Sequence, residues 1–260
     1  MTLLYIFIQF IRTWLLQDEL ISHLNNIQNI PDYEINIAHY RLLTEKMIDP
    51  SINIDQLLIE IESITEAIQV IALIENKPPN ISHIRTFFYT PGWWNQYQPY
   101  QYNHSQTSYY QTKHAFLSQL LITKKGDCTS LPLLITIIAT SLNLPTYFTT
   151  LPDHNVIQFE SNHGPIIFET TSNQLFYPDQ FLTKFYPSLP KKSLHNNIKN
   201  NSNTRIVGDS LNTYLIYLIS KKQYKQATSI ANIMVKLSPN NPIGWNNLNL
   251  ISIKQKATKQ

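Results

Sequence analysis

Apolar residues recur at intervals of three and four between residues 33 and 73, which is the period of an amphipathic α-helix. The dipeptide Asp49-Pro50 interrupts this pattern, and the residue before a proline disfavours helical geometry. The apolar positions are Ile35, Ile37, Ala38, Leu42, Leu43, Ile54, Leu57, Leu58, Ile61, Ile64, Ala67 and Ile68. The pattern therefore predicts two helices, one on each side of residue 50.

A second apolar stretch, residues 129–144, is apolar on nearly every helical face and contains Pro132 in its first turn, where proline is tolerated. A helix of this kind belongs in the middle of a core. Residues 146–151, 154–160 and 165–171 follow as short runs separated by turn residues, and they predict antiparallel strands. A buried helix followed by an antiparallel sheet predicts an α+β fold.

Residues 87–95 and the tyrosines that follow them form an aromatic and polar segment without a clean period. A segment of this kind is typical of a long ordered loop. Trp93, Trp94 and Asn95 are therefore candidates for the wall of a substrate groove. Local packing of these side chains on the core is the alternative.

Residues 1–16 form an apolar run that Gln9 and Arg12 interrupt, so the run is too short and too polar to span a bilayer. It lacks the basic residues before the apolar stretch and the small residues after it that a secretory signal requires. The sequence favours a packed helix or a helix on a membrane surface over a signal peptide. It leaves the compartment open between the cytoplasm, the periplasm and a membrane surface.

Residues 191–204 hold almost no apolar side chain, which predicts a solvated linker. Beyond it, the apolar positions match one tetratricopeptide-like helical hairpin, which packs on the main domain or binds a protein partner. The matching positions are Leu211, Tyr214, Leu215, Leu218, Ala227, Ala231, Met234 and Pro239, with Trp245 and Leu248 at the start of a next repeat.

The predicted organisation is an N-terminal helix over residues 1–30, a main domain over 31–190, a linker over 191–205 and helices over 206–260. Because the linker is polar, a cut near Lys191 is predicted to leave a folded main domain.

The chain has 20 basic and 17 acidic residues and a formal net charge of +3, which is too small an excess to predict a nucleic-acid partner. Its 5 glycines form neither a dinucleotide-binding nor a phosphate-binding loop. A single cysteine excludes an internal disulfide and a multi-cysteine zinc site, and no paired histidine motif indicates another metal. The sequence therefore predicts neither a metal nor a cofactor.

That single cysteine, Cys128, stands where a polar turn meets the long apolar helix. The unpaired N–H groups and the positive dipole end of a helix stabilise a thiolate at such a position. The alternative is a small apolar residue of the core. The neighbouring Asp127 opposes a thiolate by its charge, but its favoured role is to cap the first helical N–H groups.

A nucleophilic cysteine needs a base and a group that orients this base. His154 opens the second predicted strand and Glu169 lies on the third. A turn centred near residues 162–163 pairs residues whose numbers sum to about 325, which makes Glu169 the diagonal neighbour of His154 on one sheet face. Asp153 is the other candidate, but adjacent strand residues point to opposite faces. The remaining candidate bases are predicted at the surface or in loops: His104, His114, His163 and His195.

The segment from Lys124 to Glu160, together with the following Ile-Ile-Phe-Glu-Thr-Thr, resembles the transglutaminase-like core domain of bacterial proteins of the SirB type. In that family a Gly-[Asp/Asn]-Cys segment opens a buried helix, a Pro-x-His motif opens a strand, and a Glu-[Thr/Ala]-Thr motif lies on the next strand. The segment 89–95 and the flanking helices resemble the family as well.

The resemblance implies a papain-like arrangement in which Cys128 is the nucleophile, His154 the base and Glu169 the orienting acid. Two departures qualify it, because Glu169 stands where such triads commonly have Asp, and several relatives have lost the cysteine.

These features predict thiol-dependent acyl transfer or hydrolysis on an amide or peptide substrate. The Cys128 thiolate attacks a carbonyl, His154 returns a proton to the leaving group, and N–H groups at the helix start stabilise the oxyanion. A peptidase, an amidase and an acyltransferase differ only in what attacks the thioester, so the sequence does not separate them. The alternative function is a non-catalytic scaffold that recruits a protein partner through the C-terminal helices.

Overall fold

The computed structural model of the protein describes residues 17–103, 115–188 and 201–257. The predicted N-terminal run over residues 1–16 lies outside these residues, and so do His104, His114, His195 and most of the predicted linker. Within the described residues, no helix combines the length and the apolar character needed to cross a membrane.

The chain divides into two units. The first consists of Met1–Ile54 and Ser202–Gln260, and we call it the helical unit. The second consists of Asp55–Asn201, and we call it the mixed unit because it contains all the described strands.

The helical unit pairs helices from the two ends of the chain. Its helices are residues 17–26 (α1), Ile37–Lys46 (α2), Asn203–Ser220 (α8), Tyr224–Leu237 (α9) and Pro242–Ala257 (α10). The fully buried Leu20 and Leu24 of α1 share one apolar cluster with Tyr40 of α2 and with Leu211 and Leu215 of α8. The amphipathic faces of the early helices are therefore covered by the C-terminal helices.

The division differs from the predicted domain boundary at residue 31, because α2 belongs to the helical unit. The predicted linker also ends earlier, since α8 begins at Asn203. The Ser202 hydroxyl accepts a hydrogen bond from the Arg205 N–H at 3.1 Å, and the Asp32 carboxylate accepts the N–H groups of Asn203 and Thr204, both at 2.9 Å. A carboxylate distant in sequence thus caps this helix, which composition alone does not reveal.

The described part of the mixed unit holds five helices besides its strands. They are Ile54–Ile74 (α3, whose first residue closes the helical unit), Ile81–Tyr89 (α4), Leu117–Thr123 (α5), Ser130–Ser141 (α6) and Pro178–Phe185 (α7). The prediction of a loop over residues 87–95 is wrong in its first part, because Phe87, Phe88 and Tyr89 end α4. The Asn80 side chain caps this helix by accepting the Ser82 N–H at 2.8 Å.

Four antiparallel strands form the main sheet in chain order: Thr146–Thr150 (β3), Asn155–Ser161 (β4), Gly164–Glu169 (β5) and Gln174–Phe176 (β6). The strands Gln101–Tyr102 (β1) and Lys125–Gly126 (β2) form a separate parallel pair. Helix α6 is buried on every face along residues 130–139 and packs against β3 and β4. The predicted combination of a buried helix with an antiparallel sheet is therefore confirmed.

Candidate active site

Cys128 lies in the turn between β2 and α6, with Asp127 as the organising residue of this turn. The Asp127 Oδ1 atom accepts the N–H groups of Thr129 and Ser130 at 2.8 and 3.0 Å, and the Ser130 hydroxyl accepts the Asp127 N–H at 3.1 Å. Gly126 precedes the turn, and a Cβ atom there would lie 2.6 Å from the Ser130 Oγ atom. Asp127 therefore caps the start of α6, as its position predicts.

This cap reduces the number of backbone N–H groups that are available to stabilise an oxyanion at the start of α6. The N–H groups of Thr129 and Ser130 already donate to Asp127, so they do not face a substrate. The Cys128 N–H makes no hydrogen bond to any other described residue. The turn thus offers one backbone donor beside the sulfur rather than several.

The sheet register brings His154 and Glu169 together. Ile157 pairs with Phe168 and Ser161 with Gly164, so the numbers of paired residues sum to 325, as predicted. His154 directly precedes β4 and Glu169 ends β5. The His154 Nε2 atom lies 2.5 Å from Oε2 of Glu169. Glu169 is thereby the partner of His154, as the register argument predicts.

Thr171 holds the other oxygen of the same carboxylate. Its N–H and its hydroxyl both donate to Oε1 of Glu169, at 2.9 and 2.7 Å. Glu169 is only 1% exposed, so these contacts fix the side chain in one orientation with Oε2 towards the imidazole. Neither periodicity nor strand register assigns a role to Thr171, although the Glu-Thr-Thr run contains it.

The imidazole of His154 lies between this carboxylate and the sulfur of Cys128. Burial by itself lowers the pKa of His154, but hydrogen bonding to Cys128 and Glu169 and their negative charges outweigh it and raise the pKa to about 9. Burial raises the pKa of Glu169, but the hydrogen bonds and charge of His154 and the hydrogen bonds from Thr171 bring its pKa below the ordinary value. Because Nε2 faces Glu169, the other ring nitrogen is left for the thiol.

Three tyrosines surround this group. Burial raises the pKa of Tyr186 to about 12, and the charges of Asp153, Glu169 and Cys128 add to the effect. The pKa of Tyr102 is raised by burial and by the nearby Cys128, Asp127 and Glu169, while the Tyr89 hydroxyl donates to the Thr170 carbonyl at 2.7 Å. All three phenols therefore stay protonated, and Tyr102 and Tyr186 are neighbours of the site that periodicity did not single out.

Of the three groove candidates, Asn95 does not line a groove. It is 2% exposed, and its side-chain amide donates to the carbonyls of Phe87 and Thr90 at 2.7 and 2.8 Å, while its Oδ1 accepts the Gly92 N–H at 3.0 Å. The Asn95 side chain therefore closes the short turn after α4. The physical reason for the wrong prediction is that a buried amide with three partners is fully satisfied within the fold.

The two tryptophans lie on the same turn, Trp93–Asn95, with ring centroids 5.6 Å apart. The Trp94 Nε1–H donates to the Thr90 carbonyl at 3.1 Å, so this indole N–H is not available for an oxyanion. Trp93 is 50% exposed. Of the predicted trio, Trp93 alone presents a large free surface.

Asn95→Ala is expected to lower the free energy of unfolding by about 3 kcal/mol, because it leaves the Phe87 carbonyl and the Gly92 N–H without their partner. The Thr90 carbonyl keeps the donor of the Trp94 indole. Trp93→Ala removes a half-exposed side chain and is expected to cost about 1 kcal/mol. Urea unfolding of both variants measures the difference. Equal losses would contradict the structural role assigned to Asn95.

Among the residues that the structure describes, no group of three His, Cys, Asp or Glu side chains is arranged to hold a metal ion. The contacts around Cys128 and His154 are made by a thiol, a carboxylate, hydroxyls and backbone N–H groups.

Comparison with known proteins gives one match. Residues 93–188 match the family model of the Transglutaminase-like superfamily. No curated protein and no solved structure matches the chain significantly. The matched stretch includes Cys128, His154 and Glu169. Residues 93–188, which lie within the mixed unit, are therefore a domain of the transglutaminase-like superfamily.

Proposed function

We propose that the mixed unit catalyses thiol-dependent acyl transfer or hydrolysis on an amide or peptide substrate. One observation carries the proposal: Cys128, His154, Glu169 and Thr171 form a continuous chain of interacting groups that ends in a cysteine sulfur. Nucleophile, base and orienting acid in this order are what covalent acyl chemistry requires.

The acylation step follows from the charges of these groups. The Cys128 thiolate attacks the substrate carbonyl, an S–C bond forms, and negative charge moves to the carbonyl oxygen. The Cys128 N–H, which has no acceptor among the described residues, donates to that oxygen. The C–N bond then breaks, and the leaving amine takes the proton of the His154 imidazolium.

Deacylation runs through the same groups. Water or an amine attacks the thioester, neutral His154 takes its proton, and the S–C bond breaks to return the thiolate beside an imidazolium. Glu169 stabilises this imidazolium, because its carboxylate stays close to Nε2 and its own orientation is fixed by Thr171. Water as the attacking group gives a peptidase or amidase, and an amine gives an acyltransferase.

The finer assignment is a papain-like Cys-His-Glu enzyme of the bacterial SirB type, with a tetratricopeptide-like C-terminal part. The superfamily match, which includes Cys128, His154 and Glu169, supports the enzyme part of this assignment. The three successive helices α8, α9 and α10 support the tetratricopeptide-like part. The proposed substrate is a protein or peptide. The helices of the helical unit are proposed to bind a protein partner.

A second candidate function, a non-catalytic scaffold, draws support from the helical unit. Two large apolar side chains of α10, Trp245 and Ile253, are 51% and 64% exposed and are therefore accessible to a partner. In this alternative the cysteine is inert and α10 contacts the partner.

The deciding experiment uses p-nitrophenyl acetate as acyl donor. The intact protein is expected to release a burst of p-nitrophenol and to carry an acetyl group on Cys128 by mass spectrometry. Cys128→Ser should lose both signals, and an added primary amine should speed turnover if aminolysis competes with water. Acetylation spread over lysines with none on Cys128 would reject the enzyme and favour the scaffold.

A further inference from the structure

A cleft is lined in part by Lys124 and Lys125, which precede the turn of Cys128 in the chain. Its volume is about 320 Å³, and the residues that matter for its chemistry are Tyr97, Gln98, Gln101, Lys124 and Lys125. The cleft is partly open to solvent. A site of this shape leaves much of a small molecule in water, so it suits an extended chain better than a compact ligand.

The cleft residue Lys125 is close to Cys128 in the sequence. Lys125 precedes Cys128 by three residues, so their Cα atoms are at most about 11 Å apart. Lys125 also pairs with Gln101 across the two short parallel strands, which fixes both residues at the cleft. A peptide whose carbonyl lies at Cys128 therefore reaches the cleft within about three extended residues.

The backbone around the cleft adopts conformations that most side chains avoid. Gln96, Tyr97 and Lys124 have φ values of 59°, 58° and 55°, in the left-handed region, although none is glycine. The surrounding contacts hold them there: the Tyr97 N–H donates to the Gly92 carbonyl at 2.8 Å, and Lys124 Nζ donates to the Asn95 carbonyl at 2.7 Å.

This geometry places the Tyr97 ring in solvent, 71% exposed, at the edge of the cleft. Strained backbone that presents an exposed aromatic ring beside a cleft is more typical of ligand contact than of packing.

The charge of the cleft is positive. Lys125 is exposed and forms no ion pair with any described residue, and the Lys124 ammonium donates to a neutral carbonyl. Glu60 acts on Lys124 electrostatically but does not line the cleft, and none of the described residues that line it is acidic. Two cations and two amide side chains recognise carboxylates and peptide groups.

We propose that this cleft is a subsite for an acidic segment of the peptide substrate, held near Cys128 by Lys125, Lys124 and Tyr97. The inference rests on the proposed function, since it names the substrate class for the same site. Carboxylate side chains of the substrate pair with the two ammonium groups while its backbone contacts Gln98 and Gln101.

The test measures binding without chemistry, in full-length Cys128→Ala protein. The probes are acetyl-Ala-Glu-Glu-Ala-amide and its isosteric analogue acetyl-Ala-Gln-Gln-Ala-amide, titrated by NMR at low ionic strength. The acidic peptide is expected to bind about two- to fivefold more tightly, the range of exposed ion pairs, and the preference should shrink as salt is added. The Lys125 and Gln101 amide signals should shift.

Lys125→Gln should remove most of this preference, and Lys125→Arg should restore it, because only the charge is common to Lys and Arg. Lys77→Gln is the matched control with the same loss of charge. Lys77 pairs with Glu75 just beyond the C-terminal end of α3. Glu60, the α3 residue that acts on Lys124, lies about 20 Å closer to the N-terminal end of the same helix, so Lys77 is far from this residue. The control should keep the full preference.

Tyr97→Gly separates strain from binding. Glycine takes a φ of 58° without strain, so the melting temperature should stay equal or rise while both peptides bind more weakly. A lower melting temperature with unchanged peptide affinity would mean that Tyr97 is structural, and it would contradict the subsite.

Equal affinities for the two peptides, no binding of either at millimolar concentration, or a preference that survives Lys125→Gln would overturn the proposal. These outcomes are independent of the thiol. A Cys128 that is never acylated in the wild-type protein, together with a charge preference that depends on Lys125, would reject the enzyme and support an acidic peptide as the bound partner.

Discussion

His154→Ala is expected to slow alkylation of Cys128 by iodoacetamide about tenfold or more at pH 7. An imidazolium whose pKa is raised to about 9 stays positive beside the sulfur throughout the neutral range and favours the thiolate. Without it, an ordinary thiol with a pKa near 8.5 is only about 3% ionised at pH 7, so most of the nucleophile is lost. The measurement is the second-order alkylation rate of both proteins from pH 5 to pH 10, with circular dichroism as a check on folding.

The pH dependence of stability provides a second readout of the same interaction. The pKa of His154 is raised from 6.5 to about 9, so its charge stabilises the fold fully below pH 6.5 and this contribution is lost as the pH rises to about 9. The pKa of Glu169 is lowered, so its contribution is lost as the pH falls below about 4.5. The difference in melting temperature between wild type and His154→Ala should therefore be largest between about pH 4.5 and 6.5.

A graded series tests the rest of the chain of contacts. Glu169→Gln removes the charge that faces Nε2, and Thr171→Val removes the hydroxyl that holds Oε1, so both should lower the pKa of His154 and the alkylation rate, the first more than the second. Thr171→Ser keeps the hydroxyl and should restore the rate. A wild-type rate that rises only above pH 8, or equal rates in wild type and His154→Ala, would show that the imidazole does not activate the thiol.

A fragment of residues 53–201 is expected to fold cooperatively and to keep the reactivity of Cys128. It contains the mixed unit with the whole of α3, and its core residues such as Ile167 and Phe181 contact one another within it. The fragment of residues 1–191, which the polar composition of the linker favours, should instead expose the apolar faces of α1 and α2. Leu20, Leu24 and Ile27 are fully buried in the complete chain, and exposing each of them costs about 1.5–3 kcal/mol.

The comparison of these fragments uses thermal unfolding and binding of a hydrophobic dye. Fragment 53–201 should show one sharp transition with little dye binding, while fragment 1–191 should bind dye and aggregate. The two complementary segments, residues 1–52 and 202–260, should recover helicity when they are mixed, since their helices share one core. A sharp transition without dye binding in fragment 1–191 would contradict the division into two units.

The sequence predicted the register of the site because the physical rules involved are local. Asn162 and His163 occupy a two-residue turn, Gly164 takes a φ of 97°, and the strands on either side have a hydrophobic pattern that fixes which face is buried. A slip by one residue moves every side chain to the other face. The same locality made Asp127 predictable as the cap of α6.

The role of Asn95 and the domain boundary differ from the prediction because both depend on which partners the folded chain brings to a side chain or a helix face. Asn95 was assigned to a groove, and only the positions of the Phe87 and Thr90 carbonyls show that its amide is used internally. Periodicity shows that α2 has an apolar face but does not identify the element that covers this face. In the structure that element is α8.

By itself, the sequence determined the helices on either side of Pro50, the buried helix after Cys128 and the three strands that follow it, and it placed His154 and Glu169 at the ends of neighbouring strands, since these follow from periodicity, turn residues and the sheet register. Only the tertiary structure decided that Thr171 holds Glu169, that Asp127 occupies the N–H groups of Thr129 and Ser130, and that the two ends of the chain share a core. The physical reason is that hydrogen bonds and packing join atoms by distance in space, and a linear pattern records which side chains need partners but not which partners they find.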